Sequence, residues 1–353
     1  MTVRTSSLVA GIRETAEADP GRCAFTFFDY STDRAGRARP MTYGELDLRA
    51  RAMARALRGT ADPGARAAIL CPQTADYLVS FLGCLYAGLI AVPLFAPEAF
   101  RSTERLVLAM ADCRPDVVIT TEPFRQEVDE LLLRPELRPG TPKEVLFADR
   151  VDTTEARHRH PVPVAEDATA YLQYTSGSTR SPAGVEVTYR NMAAGTAQLA
   201  AGFGVDEEAR LVSWLPFFHD MGLVFTLLLP LTLRVPVDFL TPFAFVQQPR
   251  RWLNLLSDRR ATHTVSPNFG LDLCVDRVSE ERRAGLDLSA LKTLVNGSEP
   301  IRVATLERFS AAYAPYGFAP VAHSPGYGLA EATLVVTATP PGRAPAVLTL
   351  DRA

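Results

Sequence analysis

At 353 residues, 47% of them hydrophobic and 22% charged, the chain is long enough for one large core or two ordinary ones and fits a globular α/β protein. The formal net charge of −3 gives no electrostatic case for a nucleic-acid partner. The five cysteines lack paired spacing, which argues against a disulfide framework or a zinc site and favours a reducing compartment.

Two further patterns bear on where the protein works. The longest apolar run extends from Met221 to Leu233 and includes Pro230. It is shorter than the roughly 20 residues that a membrane-spanning helix needs, so we expect a buried strand or helix and no transmembrane segment. Acidic residues begin at Glu14 and no apolar core follows a basic start, so no signal peptide is expected and the cytoplasm is the predicted location.

Residues 1–165 alternate predicted helices and strands, and we expect them to form a first α/β subdomain. Thr42 and Glu45 have the spacing of a capping box, so a helix is expected to begin there. Buried strands alternating with helices predict mostly parallel sheets flanked by helices. The Pro- and Arg-rich stretch 135–163 is expected to be a surface excursion. The predicted helices cover 4–18, 43–57, 75–89 and 103–111, and the predicted strands cover 24–30, 67–70, 90–94 and 116–120.

The same alternation continues over residues 166–353, the expected second α/β subdomain. An amphipathic helix is predicted over 191–202, and a further helix is predicted over 271–278. The residues after 339 are expected to form a loop because Pro and Gly recur there. The predicted strands cover 170–174, 185–189, 210–215, 261–265 and 291–295.

Five small or hydroxylated residues separate the strands predicted at 170–174 and 185–189. Their bare amides and hydroxyls can form a concave nest for phosphate oxygens. The loop is not a Walker A motif, since no Lys-Ser or Lys-Thr follows its glycines. The alternative is a polar hairpin or linker. The loop residues are Thr175, Ser176, Gly177, Ser178 and Thr179, followed by Pro182 and Gly184.

A His-Asp pair, His219 and Asp220, follows the strand predicted at 210–215. The carboxyl ends of strands are where open α/β sheets bind ligands. The alternatives are an Asp220 that caps a helix and a His219 that packs in the core. A metal-dependent phosphohydrolase would need further histidines, and neither His263 nor His323 has the required spacing.

The order of these motifs resembles that of the adenylate-forming enzymes: acyl-CoA synthetases, luciferases and adenylation domains of peptide synthetases. Their phosphate loop reads Thr-Ser-Gly-Ser-Thr, two variable residues, then Pro-Lys-Gly. The chain matches it except at Ala183, which replaces the lysine and so removes a cation expected near the polyphosphate. The segments 214–222, 266–269 and 327–334 resemble most closely those of the fatty acyl-AMP ligases.

The resemblance implies an ATP-dependent fatty acid–AMP ligase that uses Mg²⁺ as a cofactor. It would convert a medium- or long-chain fatty acid and ATP into acyl-adenylate and pyrophosphate. The acyl group would then pass to an acyl carrier protein of a polyketide, nonribosomal peptide or lipid pathway. The alternatives are an acyl-CoA synthetase and a non-catalytic module that binds an acyl group or a nucleotide.

The resemblance also implies roles for single residues. His219 and Glu331 would be catalytic, with His219 orienting the fatty carboxylate and Glu331 binding magnesium together with Thr175. Residues 175–179 and Gly184 would hold the polyphosphate. Tyr327 would stack on adenine. The remaining nucleotide-binding residues would be Gly297, Ser298, Glu299, Pro300, Gly328, Leu329 and Ala330.

An apolar tunnel is expected to hold the fatty tail, because each buried CH₂ group contributes about 0.8 kcal/mol. Every candidate lining residue could equally belong to an ordinary core. The candidates are Phe217, Phe218, Met221, Gly222, Phe269, Gly270 and Leu273.

Members of the resembled family continue beyond the length of this chain. They carry a further β-rich subdomain and a small mobile C-terminal domain with a catalytic lysine, and neither has a counterpart in residues 1–353. We therefore expect a truncated large N-terminal domain of the adenylate-forming fold, with its αβαβα layers. Such a portion is expected to bind nucleotide weakly and to adenylate poorly on its own.

Overall fold

A computed structural model describes residues 3–4, 7–97, 103–140, 142–154, 156, 160–175 and 182–349. Its strands are β1 (Val3–Arg4), β2 (Cys23–Asp29), β3 (Arg37–Thr42), β4 (Arg66–Ile69), β5 (Ile90–Pro93), β6 (Val117–Thr120), β7 (Glu144–Phe147), β8 (Val164–Ala165), β9 (Thr169–Tyr174), β10 (Gly184–Thr188), β11 (Leu211–Ser213), β12 (Val237–Phe239), β13 (His263–Val265), β14 (Thr293–Asn296), β15 (His323–Gly328) and β16 (Val335–Ala338).

Helices alternate with most of these strands. The α-helices are α1 (Ser7–Ala18), α2 (Tyr43–Arg58), α3 (Ala75–Ala87), α4 (Glu104–Cys113), α5 (Arg125–Leu132), α6 (Tyr189–Phe203), α7 (Leu229–Leu233), α8 (Pro242–Gln247), α9 (Arg250–Asp258), α10 (Asn268–Arg277), α11 (Glu280–Arg283) and α12 (Val303–Tyr313). Short 3₁₀-helices cover Glu122–Phe124, Pro135–Gly140, Ala148–Arg150, Ala314–Tyr316, Pro320–Ala322 and Ala330–Ala332.

The chain folds into two compact units, each assembled from separated segments. The first comprises Met1–Ala24, Pro40–Ala194 and Phe217–Leu223, and the second comprises Phe25–Arg39, Gly195–Pro216 and Val224–Ala353. Residues 166–194, expected in the second half from the sequence, belong to the first unit. The reason is strand pairing, because β9 runs parallel to β5 in the sheet of that unit.

The first unit contains a sheet with strand order β10-β9-β5-β4-β6-β7 in the described residues. Neighbours run parallel except for β9 and β10, which form an antiparallel pair. The predicted capping box begins α2, with Glu45 N donating to Thr42 Oγ1 and Thr42 N donating to the Glu45 carboxylate. Gly83 lets α3 approach α2 closely, since a Cβ there would lie 2.6 Å from Met53 Cβ. The prediction of parallel sheets flanked by helices is confirmed.

The expectation of a surface excursion over 135–163 was wrong for one segment. Residues 144–147 form β7, which extends the sheet by pairing in parallel with β6. Val145, Leu146 and Phe147 are half-buried there. Three apolar residues within a Pro-rich stretch are too few to show a periodic pattern, and tertiary pairing alone makes them a strand.

The second unit contains a sheet with strand order β16-β15-β14-β13-β11-β12-β2-β3 in the described part of the chain. The strands from β15 through β2 run parallel, and β16 pairs antiparallel with β15 at one edge. Aromatic side chains fill the core, and Trp252, Phe239 and Phe309 are each at most 1% exposed. β16 was not predicted, because its side chains are half-buried or exposed and show no buried face.

The apolar run from Met221 to Leu233 is helical and, up to Leu231, buried. It begins as a π-helix over Met221–Leu228 and continues as α7. Pro230 donates no backbone hydrogen bond and crowds the carbonyl four residues earlier, which accounts for the wider turn before it. Within the described residues, no helix combines the length and apolar character needed to cross a membrane.

Candidate active site

The described ends of the predicted phosphate loop lie at the carboxyl end of β9. Thr175 is half-buried, and its backbone N–H donates to the Ala183 carbonyl at 3.4 Å. Gly184 begins β10, and a Cβ there would lie 3.0 Å from the Tyr174 ring, so a larger residue would require that ring to shift. The other predicted loop residues lie outside the described residues: Ser176, Gly177, Ser178 and Thr179.

Two glutamines hold the backbone just before His219 against this edge of the first sheet. Gln173 Nε2 donates to the Phe218 carbonyl at 2.9 Å, and Phe217 N donates to Gln73 Oε1 at 3.2 Å. Gln173 is in β9, and Gln73 follows β4 in the same sheet. The sequence analysis missed both glutamines, although a polar residue inside the apolar run Tyr-Leu-Gln-Tyr was a usable signal.

Aromatic contacts fix the same segment. The ring centroids of Phe217 and Tyr77 lie 5.6 Å apart, and those of Phe218 and Phe95 lie 5.3 Å apart. Phe95 follows β5, which is parallel to both β4 and β9. The first unit therefore brings the His219 segment and Thr175 to the carboxyl edge of one sheet. The sequence had placed His219 at the end of the strand 210–215, but that strand, β11, belongs to the sheet of the second unit.

Asp220 orients the imidazole of His219. Its Oδ1 lies 2.8 Å from His219 Nδ1 and also accepts from Met221 N at 2.6 Å. His219 Nδ1 also accepts from Met221 N at 3.3 Å, so the carboxylate and the backbone together hold this edge of the ring. Asp220 thus also caps the π-helix, one of the alternatives considered. His219 is not packed in the core, since 35% of its side chain is exposed.

The second unit places the other motifs at the carboxyl edge of its own sheet. The strands β11, β13, β14 and β15 are neighbours and run parallel. Each is followed by a predicted site segment or ends within one. Because carboxyl ends of parallel strands lie at the same edge, these segments are brought side by side. They are 214–216, 266–270, 297–300 and 327–331.

Side chains join the loops that follow β13 and β14. Asn268 is fully buried, and its Nδ2 donates to the Pro300 carbonyl at 2.8 Å. Glu299 Oε1 accepts from Phe269 N at 3.2 Å. Asn296, the last residue of β14, donates from its Nδ2 to the carbonyl of Ser266, just after β13, at 2.9 Å. Glu299 therefore has a structural contact besides its predicted nucleotide role, and the sequence analysis missed both asparagines.

The Gly297–Pro300 loop contains a strained residue. Ser298 is exposed and has a φ of 67°, in the left-handed region that non-glycine residues seldom adopt. Gly297 beside it is buried. Backbone strain of this kind clusters at ligand sites, and the nucleotide-binding role of this loop stays a prediction.

The Tyr327–Glu331 segment combines exposed side chains with a tight backbone. Tyr327 is 62% exposed. A Cβ on Gly328 would overlap the Leu334 carbonyl oxygen and lie 2.8 Å from its carbon, so this position requires glycine. Glu331 is exposed on the 3₁₀-helix Ala330–Ala332, while Ala330 is buried. Leu329 between them is half-buried and donates its N–H to the Leu334 carbonyl at 2.8 Å.

The predicted tunnel residues differ in burial. In the first unit Phe217 and Met221 are 2% and 5% exposed, Gly222 is buried and Phe218 is half-buried. Both a tunnel wall and an ordinary core require such burial, so the lining role of these residues stays a prediction.

In the second unit, two of the three candidate lining residues lie against Trp214. Phe269 is 45% exposed and meets the Trp214 ring edge-on, with centroids 5.5 Å apart. Gly270 is buried, and a Cβ there would lie 2.7 Å from Trp214 Cζ2. Leu273, one helical turn further, is half-buried. Phe269 therefore offers the most accessible apolar surface among the predicted lining residues.

The buried histidines of the second unit are structural. His263 Nε2 donates to the Phe203 carbonyl at 3.2 Å, and its Nδ1 accepts from Thr262 Oγ1 at 2.8 Å. Burial lowers the pKa of His263 and of His323 to about 4. Within the described residues, no group of three or more His, Cys, Asp or Glu could hold a metal ion. These histidines thus give the phosphohydrolase alternative no support.

Each unit thus gathers its own predicted residues at the carboxyl edge of its own sheet. Thr175, Gly184 and the segment 217–222 form one group, and 269–273, 297–300 and 327–331 form the other. Binding of one nucleotide by both groups stays a prediction.

Comparison with known proteins identifies the family. The profile of the AMP-binding enzyme family matches residues 12–350. The long-chain-fatty-acid–AMP ligase FadD32 of Mycolicibacterium smegmatis is 42% identical over 354 aligned positions, which cover 98% of this chain. The 4-hydroxyphenylalkanoate adenylyltransferase of Mycobacterium tuberculosis is 40% identical over 98% of this chain. The chain spans 56% of the length of each of these relatives.

Comparison with a solved structure supports the same family. The fatty acyl-adenylate ligase from L. pneumophila, crystallised with acyl adenylate and pyrophosphate, has a TM-score of 0.87 and is 33% identical. The match covers 97% of this chain and 59% of that one. The profile match spans nearly the whole chain, and the relatives and the fold agree with it. The chain therefore belongs to the AMP-binding enzyme family.

Proposed function

We propose that the chain carries the adenylation site of a fatty acid–AMP ligase. A fatty carboxylate oxygen attacks the α-phosphorus of ATP, and the bond from that phosphorus to the oxygen bridging the β-phosphate breaks. The products are acyl-adenylate and pyrophosphate. Two anions must approach each other in this step, so positioning and electrostatic stabilisation supply most of the catalysis.

The observation that carries this proposal is the placement of the motifs. Segments that follow neighbouring parallel strands, 266–270, 297–300 and 327–331, share the carboxyl edge where α/β sheets bind nucleotides. The mycobacterial relatives named as long-chain-fatty-acid–AMP ligases support the same reaction for this chain. So does the similarity to a ligase crystallised with acyl adenylate and pyrophosphate.

In the first unit, we assign the fatty carboxylate to His219 and the polyphosphate to residues 175–179 and Gly184. Because Asp220 engages Nδ1, the ring presents Nε2 to the substrate. Gln73 and Gln173 hold the backbone immediately before His219, and so we infer that they position its ring.

In the second unit, Tyr327 and the Gly297–Pro300 loop form the walls for adenine in this proposal. Glu331 and Thr175 are the proposed protein ligands of Mg²⁺. An exposed carboxylate and a hydroxyl suit this ion, which usually keeps several waters and binds phosphate oxygens through few protein groups. The ion would neutralise charge on the polyphosphate.

The identities of the acid substrate and of the acyl acceptor are more specific parts of the proposal. The relatives include both long-chain-fatty-acid–AMP ligases and a 4-hydroxyphenylalkanoate adenylyltransferase, so both acid classes belong in the assay. We propose a long-chain fatty acid as substrate and a carrier protein as acceptor. The five cysteines are all free thiols, which supports work in the reducing cytoplasm.

Equilibrium binding tests the proposal. The ligand is a hydrolysis-resistant acyl-adenylate analogue in which a sulfamate replaces the phosphate, titrated calorimetrically into the chain. We expect binding of one analogue per chain, competition by ATP, and weaker binding when the acyl group is shortened. Binding that ATP does not displace, or that is indifferent to the acyl group, would contradict the proposal. CoA thioester as the final product, in place of carrier-protein thioester, would favour the acyl-CoA synthetase alternative.

A further inference from the structure

A cavity lies in the second unit, beside the turn that follows β2. Its volume is about 160 Å³, and Tyr30, Arg34, Arg250 and Arg251 contribute to its lining. In the sheet, β12, β11 and β13 separate β2 from β14. Four strand spacings of about 4.8 Å place the two strands roughly 19 Å apart. The cavity is therefore remote from the Gly297–Pro300 loop of the proposed nucleotide site.

Arg251 gives this cavity a buried positive charge. The residue is 7% exposed, and its guanidinium carbon lies 4.5 Å from the centroid of the Tyr30 ring. Its Nη1 donates to Gln247 Oε1 at 2.7 Å and to the Ala244 carbonyl at 3.2 Å, while its buried Nε has no hydrogen-bond partner. Among the described residues, no carboxylate forms an ion pair with Arg251. A buried cation that has only neutral partners is costly unless an anion joins it.

The surroundings add to this positive potential. Arg250 and Arg251 are the first two residues of α9, and its first turn contains no acidic residue. Both arginines thus lie at the positive end of the helix dipole, where an anion is the favourable partner. Arg34 supplies a third positive charge from the turn after β2. The acidic lining residue Asp258 is seven positions from Arg251, about 10 Å away along the helix.

We propose that this cavity binds a phosphate group. Three arginines against Asp258 leave a surplus of two positive charges, which matches the charge of about −1.5 to −2 on a phosphate monoester at pH 7. The planar fork of a guanidinium suits the paired oxygens of phosphate. The volume admits such a group but is smaller than the roughly 300–1,000 Å³ of pockets that enclose whole drug-sized ligands. The ligand is therefore inorganic phosphate or the phosphate of a larger molecule that extends into solvent.

This inference goes beyond the proposed adenylation and does not depend on it. Calorimetric titration with inorganic phosphate at low ionic strength tests it, without ATP or fatty acid. We expect saturable binding of phosphate. The affinity should fall about tenfold or more in the double variant Arg34→Gln/Arg250→Gln, because each substitution removes a charge-assisted contact to the phosphate. The matched control Arg282→Gln removes an exposed arginine on α11 and is expected to bind like the unaltered chain.

Arg251→Gln tests the buried charge directly, with folding checked by circular dichroism. If that variant does not fold, the double variant alone tests the proposal. It is expected to fold, because Arg34 is exposed and Arg250 is only half-buried. Phosphate affinity equal in the double variant and the unaltered chain overturns the proposal, as does acetate binding as tightly as phosphate. If phenyl phosphate binds more tightly than inorganic phosphate, the ligand of the cavity is a phosphomonoester whose organic group packs against Tyr30. If the two affinities are equal, the cavity recognises the phosphate group alone.

The acyl-adenylate analogue separates this test from that of the proposed function. Phosphate is expected to bind equally well when the analogue is present at saturating concentration. If the heat of phosphate binding disappears when the analogue is present, the phosphate binds in the adenylation site, and the inference is overturned. Failure of the analogue to bind would affect the adenylation proposal alone.

Discussion

The substitution Gly328→Ala probes the turn that presents Glu331. Gly328 is paired with Val335 in the β15–β16 hairpin, at a shift in strand register. An added Cβ overlaps the Leu334 carbonyl oxygen and lies 2.8 Å from its carbon. Both atoms belong to the backbone, so no rotamer change relieves the overlap. The hairpin must open locally to accept alanine.

Three contributions set the size of the effect. Overlap of this kind costs about 1–3 kcal/mol. Moving Leu334 O also breaks its hydrogen bond from Leu329 N, which contributes about 1 kcal/mol. Alanine restricts the unfolded chain and returns about 0.4–1 kcal/mol. The net destabilisation of the hairpin is therefore about 1–3.6 kcal/mol.

Hydrogen exchange at the amides of residues 323–338 measures this loss. A cost of about 1–3.6 kcal/mol predicts that exchange of the Leu329 amide accelerates by about 5- to 400-fold. Affinity for the acyl-adenylate analogue is expected to fall as well, because the turn carries Tyr327 and Glu331. The control is Gly21→Ala, where the nearest atom would lie 3.8 Å from the new Cβ, an ordinary contact. Unchanged protection at Leu329 in Gly328→Ala would refute the close approach on which this reasoning depends.

Three further substitutions or conditions give separate predictions. Since the buried His263 and His323 have pKa values lowered from 6.5 to about 4, stability is full above pH 6.5 and falls as the pH drops toward 4. Urea titrations should show a loss of about 2 kcal/mol per histidine at pH 5, and equal stability at pH 7 and pH 5 would be inconsistent with their burial. Gln173→Leu leaves the Phe218 carbonyl without its donor and should lower the unfolding free energy by about 1–2 kcal/mol, with weaker analogue binding; unaltered binding would show that Gln173 does not position His219. Ala183→Lys adds a cation at an exposed position beside the loop and should tighten ATP binding several-fold at low salt, whereas unchanged ATP affinity would argue against polyphosphate at this loop.

Local patterns predicted much of the fold correctly. The capping box at Thr42 and Glu45 fixes the start of α2 through contacts three residues apart, so the sequence alone suffices. Buried strands such as 117–120 were recognisable because three consecutive side chains, Val117, Val118 and Ile119, are apolar and all four residues are buried. In contrast, β7 and β16 form because a neighbouring strand offers backbone partners, a cause that no local window contains.

The π-helix shows another limit. Met221–Leu228 is apolar on every side, so its periodicity could not distinguish a strand from a helix. The choice of a wide turn depends on Pro230 and on the buried surroundings, which only the folded chain supplies.

The candidate site was predictable where a short sequence motif indicates the chemistry of its side chains. The His219–Asp220 pair was visible in the sequence, and the structure adds that Asp220 engages Nδ1. The contacts of Gln73, Gln173 and Asn268 were not predictable, because their partners are roughly 30 to 145 residues distant in sequence. Positioning residues of this kind become visible only when strands far apart in the chain are aligned in a sheet.

Single-turnover formation of acyl-adenylate tests the central claim most directly. The chain, in excess over ATP, is mixed with Mg²⁺ and a long-chain fatty acid, and acyl-adenylate is measured by mass spectrometry. Both His219→Ala and Glu331→Gln should slow its formation by about a hundredfold, while the exposed matched controls His160→Ala and Glu207→Gln should leave it unchanged. Equal rates in the unaltered chain and either of the first two variants would contradict the account.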